Sequence, residues 1–542
     1  LAALGAVIGI ALRLGRRAPK SEPASMNAPA KKKTARSIAR GAARGLGSFT
    51  ALALVMSWAG CSCSEDQEQL GDTYTCNEPD CISLHPGLIG SYTSAAVAGT
   101  TIWVAGYVEG DWNSAYTWGD LAVGKWSGDH VEWGLVDGVP VDPPPNTVNY
   151  NAKGFRGGQT EPGEDVGLWT SIAIDPKGNP AVAYYDRTNK SLKFAQLGDG
   201  AWNTSTVELK ENSDIGRYAK LQFVNGVPAI AYLYIEPGGE NGALKSGVRL
   251  ATGASANPRE GEWSFEDVSV DTATPCRASF CKTGTKCAAD TGLCTATLPS
   301  DQCPDKCASG TACMDQAGTP TCADIIDSSL LDSYPQAAGL YVAAALDPKG
   351  ALGIAYYDRL RGNLVIASKA GGTWSNMIVD GEANGVDSGD MGIGATLAID
   401  GSGDWHLAYV DGHEEVVRYL RVAQGTTPGT PELVDNGLGI EGDAFKDGHH
   451  IVGDDANIWA SPSGEVHITY QDATAGTLRY AVGTASGGGH SWNVKAIAQD
   501  GRFAGAFSRL IQSDGKLYLM NWWRVGGKHP DGVKGDVTIL AP

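Results

Sequence analysis

The stretch Ser171-Ile-Ala-Ile-Asp-Pro-Lys-Gly-Asn-Pro-Ala-Val-Ala-Tyr-Tyr-Asp-Arg187 returns as Ala343-Ala-Ala-Leu-Asp-Pro-Lys-Gly-Ala-Leu-Gly-Ile-Ala-Tyr-Tyr-Asp-Arg359. Thr396-Leu-Ala-Ile-Asp-Gly-Ser-Gly-Asp-Trp-His-Leu-Ala-Tyr-Val-Asp411 is a third copy, and Ala460-Ser-Pro-Ser-Gly-Glu-Val-His-Ile-Thr-Tyr-Gln-Asp472 a fourth. Weaker copies span 95–109, 221–234 and 510–524. Their turns fall at positions 100, 178, 226, 350, 403, 464 and 515, most of them 48 to 61 residues apart. A period of that size is the mark of a chain built from stacked supersecondary units rather than one core.

Outward from Ser171 the unit reads as four strands: Ser171–Asp175, Pro180–Tyr185, Ser191–Leu197 and Trp202–Leu209. Pro-Lys-Gly-Asn, Arg-Thr-Asn-Lys and Gly-Asp-Gly supply the turns between them. The fourth strand often opens with Trp (Trp202, Trp263, Trp374, Trp492), whose expected role is packing between units. Four short strands repeated seven times predict an all-β fold, a β-propeller of seven four-stranded blades. The last unit has only three strands, so Cys81–His85 is expected to supply its outer strand and leave no open edge.

The repeat Ile-Ala-Ile-Asp-x-x-Gly-x-x-x-x-Ala-Tyr-Tyr-Asp resembles exported bacterial propellers of the sialidase-like, Asp-box kind. Asp199-Gly-Ala-Trp202 and Gly371-Gly-Thr-Trp374 keep that box's turn and Trp but lack its leading Ser or Thr. The resemblance implies the fold. For a sialidase it would also imply three Arg clamping a carboxylate, a Tyr with a Glu beside it, and an acidic Asp. Arg187, Arg359 and Arg524 are available, but no spacing marks a triad.

The 124-residue gap between the turns at 226 and 350 contains eight cysteines. Cys276, Cys281, Cys287 and Cys294 form one half; Cys303, Cys307, Cys313 and Cys322 form the other. Both halves contain Cys-x-x-Gly-Thr-x-Cys, so 274–323 reads as a duplicated disulfide-rich insert, similar to EGF-like modules, between blades one to three (82–273) and four to seven (324–542). Pairing within each half is the simplest arrangement, though the spacing does not select one of the many connectivities. Such cysteine density belongs to an oxidising compartment, and Cys76–Cys81 is expected as a local bridge.

Residues 1–60 hold ten Lys or Arg and a single acid, Glu22. From Met26, a basic segment, the apolar run Phe49–Ala59 and small residues read as an export signal preceded by a read-through stretch. Ser57-Trp-Ala-Gly-Cys61 resembles a bacterial lipobox, with Trp58 departing from its usual aliphatic residue. By that resemblance Cys61 carries the lipid, 61–81 is an anchor linker, and Ser62 implies sorting to the outer membrane, the alternative being a secreted or periplasmic protein.

The chain's 542 residues carry a net charge of −19, which argues against nucleic-acid binding. Gly, at 72 residues, fits a turn-rich fold, and no apolar run is long enough for a membrane-spanning helix. Asp186-Arg187, Asp358-Arg359, Asp411 and Asp472 fall at equivalent turns after the second strand, and Asp165, Asp214 and Asp390 precede the first strand as Asp-x-Gly. Both sets converge on one face near the channel mouth, where they could take sugar hydroxyls or Ca²⁺; the plainer role is turn capping. His449-His450, with Asp443, Asp447, Asp454 and Asp455, is the most metal-like cluster and reads better as a polar loop. Asp400-Gly-Ser-Gly-Asp404 reads as a turn. No nucleophile elbow, zinc-protease or phosphate-loop motif occurs. The expectation is a lipid-anchored surface propeller binding a glycan or protein without catalysis, against a sialidase-like or lyase-like enzyme or a structural platform.

Overall fold

The computed structural model describes residues 88–109, 119–140, 162–238, 243–273, 284–288, 293–303, 306–308, 311–316, 319–325, 337–382, 389–439, 448–497, 501–526 and 534–542. Among these the chain is all-β, without a helix. The export signal, Cys61, Cys76, Cys81, Cys276, Cys281 and the Cys81–His85 strand lie outside the described residues.

Each copy of the repeat is the hairpin between the first two strands of a unit. In the second unit, Val166–Ile174 pairs antiparallel with Pro180–Asp186, which pairs with Ser191–Gly198 and then Ala201–Glu208. The same order recurs behind six further inner strands: Leu88–Ala98, Asp214–Val224, Ala338–Leu346, Met391–Ile399, Val452–Ala460 and Arg509–Ser513. Each of these seven strands touches the next in chain order, and Arg509–Ser513 returns to touch Leu88–Ala98, so they close a circle around an axis. The last unit ends at its third strand, Lys534–Leu540, whose residue Gly535 pairs in parallel with Leu88.

The faces between units are the core. Ala181, Leu192 and Phe194 of the second unit pack on Ile215, Leu221, Tyr232 and Trp263 of the third. Trp263 meets Phe194 edge to face at 5.3 Å. Its counterparts Trp202, Trp374 and Trp492 pack against similar clusters, the inter-unit role expected for them.

The Tyr-Tyr pair of the repeat gains its meaning here. Tyr184 donates back to Asp137 Oδ2 of the preceding unit at 2.6 Å, whereas Tyr185 donates forward to Asp214 Oδ1 of the following unit at 2.9 Å. Tyr232, Tyr409 and Tyr470 repeat the backward bond, to Glu208, Asp380 and Asp435. Tyr107 and Tyr357 repeat the forward one, to Asp165 and Asp390. Each buried hydroxyl is thus satisfied across an interface, where leaving it unpaired would cost about 1–3 kcal/mol.

One glycine position repeats in all seven units, within six of the inner strands and just before the seventh: Gly90, Gly167, Gly216, Gly339, Gly392, Gly453 and Gly505. Gly216, at φ +106°, is representative, since a Cβ there would lie 2.8 Å from the Cα of Leu192 in the preceding unit. Only glycine allows both that torsion and that approach. About two residues later six of the strands bulge, which breaks their register with the second strand.

The insert folds on its own small core. Thr285–Cys287 pairs with Cys294–Ala296, and Thr311–Gln316 with Thr319–Asp324. Ala288, Met314 and Ala323 are buried between the two hairpins. Cys303 bonds Cys313 and Cys307 bonds Cys322, both within the second half; Cys287 and Cys294 are disulfide-bonded as well.

Candidate functional site

The two ends of the circle differ. At one end the turns between first and second strands are two or five residues long. There Asp175 Oδ1 accepts the backbone N–H groups of Lys177 and Asn179, and Asp347 and Asp400 do the same in their turns. Asp400 is therefore a turn residue. At the other end the inner strands begin and the second strands finish, Val166 pairing with Asp186 and Met391 with Asp411. Connections here are longer, 28 residues over 138–165 and more where the insert joins the third unit to the fourth.

This second end carries the acids and arginines singled out by the sequence. Asp186 accepts from the backbone and side-chain nitrogens of Asn189 at 2.9 and 2.8 Å. Asp358 accepts from Leu360 N and Arg361 Nη1, both at 2.9 Å. Asp411 takes His413 N, Glu414 N and Arg418 Nε; Asp472 takes Ala475 N, Arg479 Nη2 and the ring nitrogen Nδ1 of His450. All four carboxylates are buried; Asp186 and Asp358 spend their lone pairs within their own turns, while Asp411 and Asp472 also bind an arginine of the following strand and Asp472 binds His450. His450 is buried in that network, while Asp454 and Asp455 belong to the bulge of an inner strand. Asp443 and Asp447 lie outside the described residues. Arg187 is half-exposed and donates from Nε to Asp165 Oδ2 at 2.7 Å. Arg359 is buried, its backbone N–H bonded to Ala337 O at 3.2 Å.

Inside this rim lies a set of residues that sequence reasoning missed. At the bulge, two positions after the repeated glycine, stand Tyr92, Trp169, Tyr218, Tyr341, Gly394, Asp455 and Phe507, all with φ between 48° and 64°. A non-glycine residue pays about 1 kcal/mol or more for that conformation, and six of the seven pay it. Ring centroids run Phe507–Tyr92 4.7 Å, Tyr92–Trp169 5.3 Å, Trp169–Tyr218 5.2 Å and Tyr218–Tyr341 5.1 Å. Five aromatic rings thus form a crescent around the axis, and Gly394 and Asp455 leave the gap. Arg217, paired with Asp214, sits 5.6 Å from the Trp169 ring centre.

Charged groups gather beneath the crescent. The Asp455 carboxylate accepts the Phe507 N–H, and burial raises its pKa. Burial, helped by the neighbouring Asp455 charge, pushes Asp454 up to about 7, and its Oδ2 has no partner among the described residues. Lys220 is pulled down to about 7, mainly by burial and then by Arg509, with Asp455 opposing. The Arg509 guanidinium is lowered by its own burial. The Asp455 side chain is itself exposed to solvent.

Among the described residues, the group compact enough to hold a metal is Cys303, Cys307 and Cys313, whose sulfurs are engaged in disulfides. The signal that could have revealed the channel is the glycine itself, which stands ten or eleven residues before every one of the seven turn positions.

No known protein family and no curated protein matches the chain. Among solved structures it is similar to an α-L-arabinanase from Penicillium chrysogenum complexed with arabinobiose, at 13% identity and a TM-score of 0.37 over 69% of this chain and 92% of that one. A polysaccharide lyase shares 11% identity at a TM-score of 0.39, over 85% and 90% of the two chains. A sialidase from Streptococcus pneumoniae shares 11% at 0.37, over 87% and 70%. These likenesses are distant, and the circle of sheets stands on its own strand order.

Proposed function

We propose that this chain is a seven-bladed propeller that binds a carbohydrate, without cleaving it, at the mouth of its central channel. The aromatic crescent carries the reading. A pyranose presents C–H faces that lie flat on aromatic rings and hydroxyls around its edge. Tyr92, Trp169 and Tyr218 offer such rings, while Arg187, Arg217 and Asp455 offer donors and an acceptor around them. Pockets that combine an apolar floor with a few placed polar groups are the usual form of small-ligand sites. The strained conformation at six positions supports this use, because strain kept at one level of a fold is often kept for function. Asp186, Asp358, Asp411 and Asp472, with Arg187 and Arg359, then form the frame of the mouth.

In this reading the leader places Cys61 for lipid attachment at the outer membrane, which displays the propeller at the surface. The disulfide knob of 274–323 stands between the third and fourth blades.

A glycan array probed with the full chain and with Trp169→Ala tests the site. Oligosaccharides bound by the parent should be lost by the variant. Equal binding by both would overturn the assignment, and shortened oligosaccharides in the eluate would replace it with an enzyme of the sialidase-like or lyase-like class.

A further inference from the structure

The outer strands of the second and third units, Ala201–Glu208 and Trp263–Asp267, flank a groove on the outside of the circle. Its volume is about 690 Å³, a size usual for small-ligand sites. One position of the repeat accounts for it. Trp133, Thr204, Phe265, Asn376 and Val494 stand opposite Gly124, Ala195, Ala251, Ala367 and Ala481 of their third strands, at the same place in five units. Trp133 packs on the last unit and donates from Nε1 to Asp536 Oδ1 at 3.0 Å. Asn376 donates to Val268 O of the third unit at 2.8 Å, and Val494 packs against the fifth unit. Thr204 is short and places no ring there. Phe265 is large and yet does not close its crevice. It stays 44% exposed, and Leu209, on the groove's other wall, stays 58% exposed.

The floor between these walls is polar and matched in charge. Arg249, buried, donates from Nη1 to Glu208 Oε1 at 2.7 Å and Glu236 Oε1 at 2.6 Å, and from Nε to Asp267 Oδ1 at 2.8 Å. Lys210 Nζ lies 2.6 Å from Glu236, and Lys245 Nζ 3.0 Å from Asp267. A charged group entering here would have to displace one member of a buried pair, which is costly. A hydroxyl would not, because a carboxylate already in an ion pair keeps lone pairs for O–H donors. Glu260, at the rim, has no partner among the described residues and offers a further acceptor. It is exposed, so a cation would gain little from it. The floor thus favours an uncharged ligand rich in hydroxyls, and Phe265 and Leu209 favour one with apolar faces. A sugar has both.

We propose that this groove is a second carbohydrate site, which takes a neutral oligosaccharide and is independent of what the channel mouth binds.

The test uses the full chain carrying 4-fluorophenylalanine, in which the fluorine signal of Phe265 is the one missing from a Phe265→Leu protein. Neutral tetramers of glucose, galactose, mannose and xylose are titrated beside charged tetramers of galacturonate and glucosamine. A neutral tetramer should shift the Phe265 signal in a saturable way and bind about tenfold or more tightly than either charged one. Trp169→Ala should leave that titration unchanged. Phe265→Ala, at a half-exposed site, should keep the parent's melting curve, and in the Trp169→Ala background it should abolish the remaining heat of binding in calorimetry. A Phe265 shift with no binding lost in Trp169→Ala sinks the site at the mouth and supports the groove. Heat that vanishes in Trp169→Ala, with no Phe265 shift, does the reverse and overturns the proposal. So do the absence of a shift with every neutral tetramer, equal or tighter binding of a charged one, and a shift that grows with protein concentration without sugar, the sign of a second copy in the groove.

Discussion

The five units that carry the crescent and the two that interrupt it share one backbone and differ in what that backbone presents. Trp169 and Gly394 occupy the same bulge, two residues after a glycine of nearly the same torsion, 103° at Gly167 and 110° at Gly392. One places an indole against its neighbours and the other places nothing. The lesson is a division of labour within the repeat. The glycine and the left-handed bulge are required to bring each inner strand against the preceding unit. The side chain at the bulge is not required by the fold and is therefore available for function, as expected when a site is grafted onto a scaffold.

The sharpest way to break that division is at its fixed half. Gly216→Ala forces a Cβ to within 2.8 Å of the Leu192 backbone at φ +106°. We expect a loss of about 3 kcal/mol, the sum of torsional strain and overpacking. Gly178→Ala, in a turn where a Cβ meets nothing within 4 Å, keeps only the torsional part and should cost about 1 kcal/mol. Urea midpoints of the two variants measure the contrast, and equal losses would remove the close approach as the reason for glycine.

The variable half should respond in binding, not in folding. Trp169→Ala is expected to cost about 2 kcal/mol of affinity, roughly thirtyfold, as a central aromatic contact does. Gly394→Tyr is the complementary change, since five other units place a large aromatic side chain in this torsion. It should fold within about 1 kcal/mol of the parent, close the gap, and weaken binding of branched ligands more than linear ones. A Gly394→Tyr protein that fails to fold would mean that the gap is structural.

How much of this was legible in the sequence follows from the same division. The hairpins were, because Asp-Pro-Lys-Gly turns and alternating strands are written into the letters. Pro180–Asp186 and Ser191–Gly198 stand within a residue of where the pattern puts them. The inner strand was not, since it begins at Val166 and not at Ser171. The bulge at Trp169 breaks the period of two, so a reading based on alternation starts only after it. The crescent was hidden for a related reason. Its members share no residue type, stand far apart in the chain, and resemble ordinary core aromatics. Lys220 sits between Ala219 and Leu221, both buried against the second unit, and nothing local marks it as facing a channel.

The rim acids set a third, smaller comparison, between residues that bind turns and residues that bind ligand. Asp186→Ala with Asp358→Ala removes bonds that the two carboxylates make within their own loops. The loss should be on the order of 1 kcal/mol at each site, with affinity for any glycan found on the array unchanged. Lost affinity with an unchanged melting curve would return the ligand site to the rim.

The last comparison is in how stability varies with pH, and it separates the groups around the crescent's gap from the rest of the protein. Asp454 titrates at about 7 in the folded chain, well above the ~4 of an unfolded Asp. Its contribution to stability is therefore full below about pH 4 and is lost as pH rises through 7. Lys220 titrates at about 7 when folded, against ~10.4 when unfolded. Its contribution is full above about pH 10 and is lost as pH falls through 7. The two slopes oppose one another and meet near neutrality, where stability should pass through a minimum. The charges acting on them, Asp455 on both and Arg509 on Lys220, set the depth of that minimum without reversing either sign. Urea midpoints at about pH 5, 7 and 9 give both arms. Asp454→Asn should flatten the acidic arm alone and Lys220→Ser the alkaline arm alone. Matching pH profiles for parent and both variants would mean that these two groups do not titrate in the channel as their surroundings require.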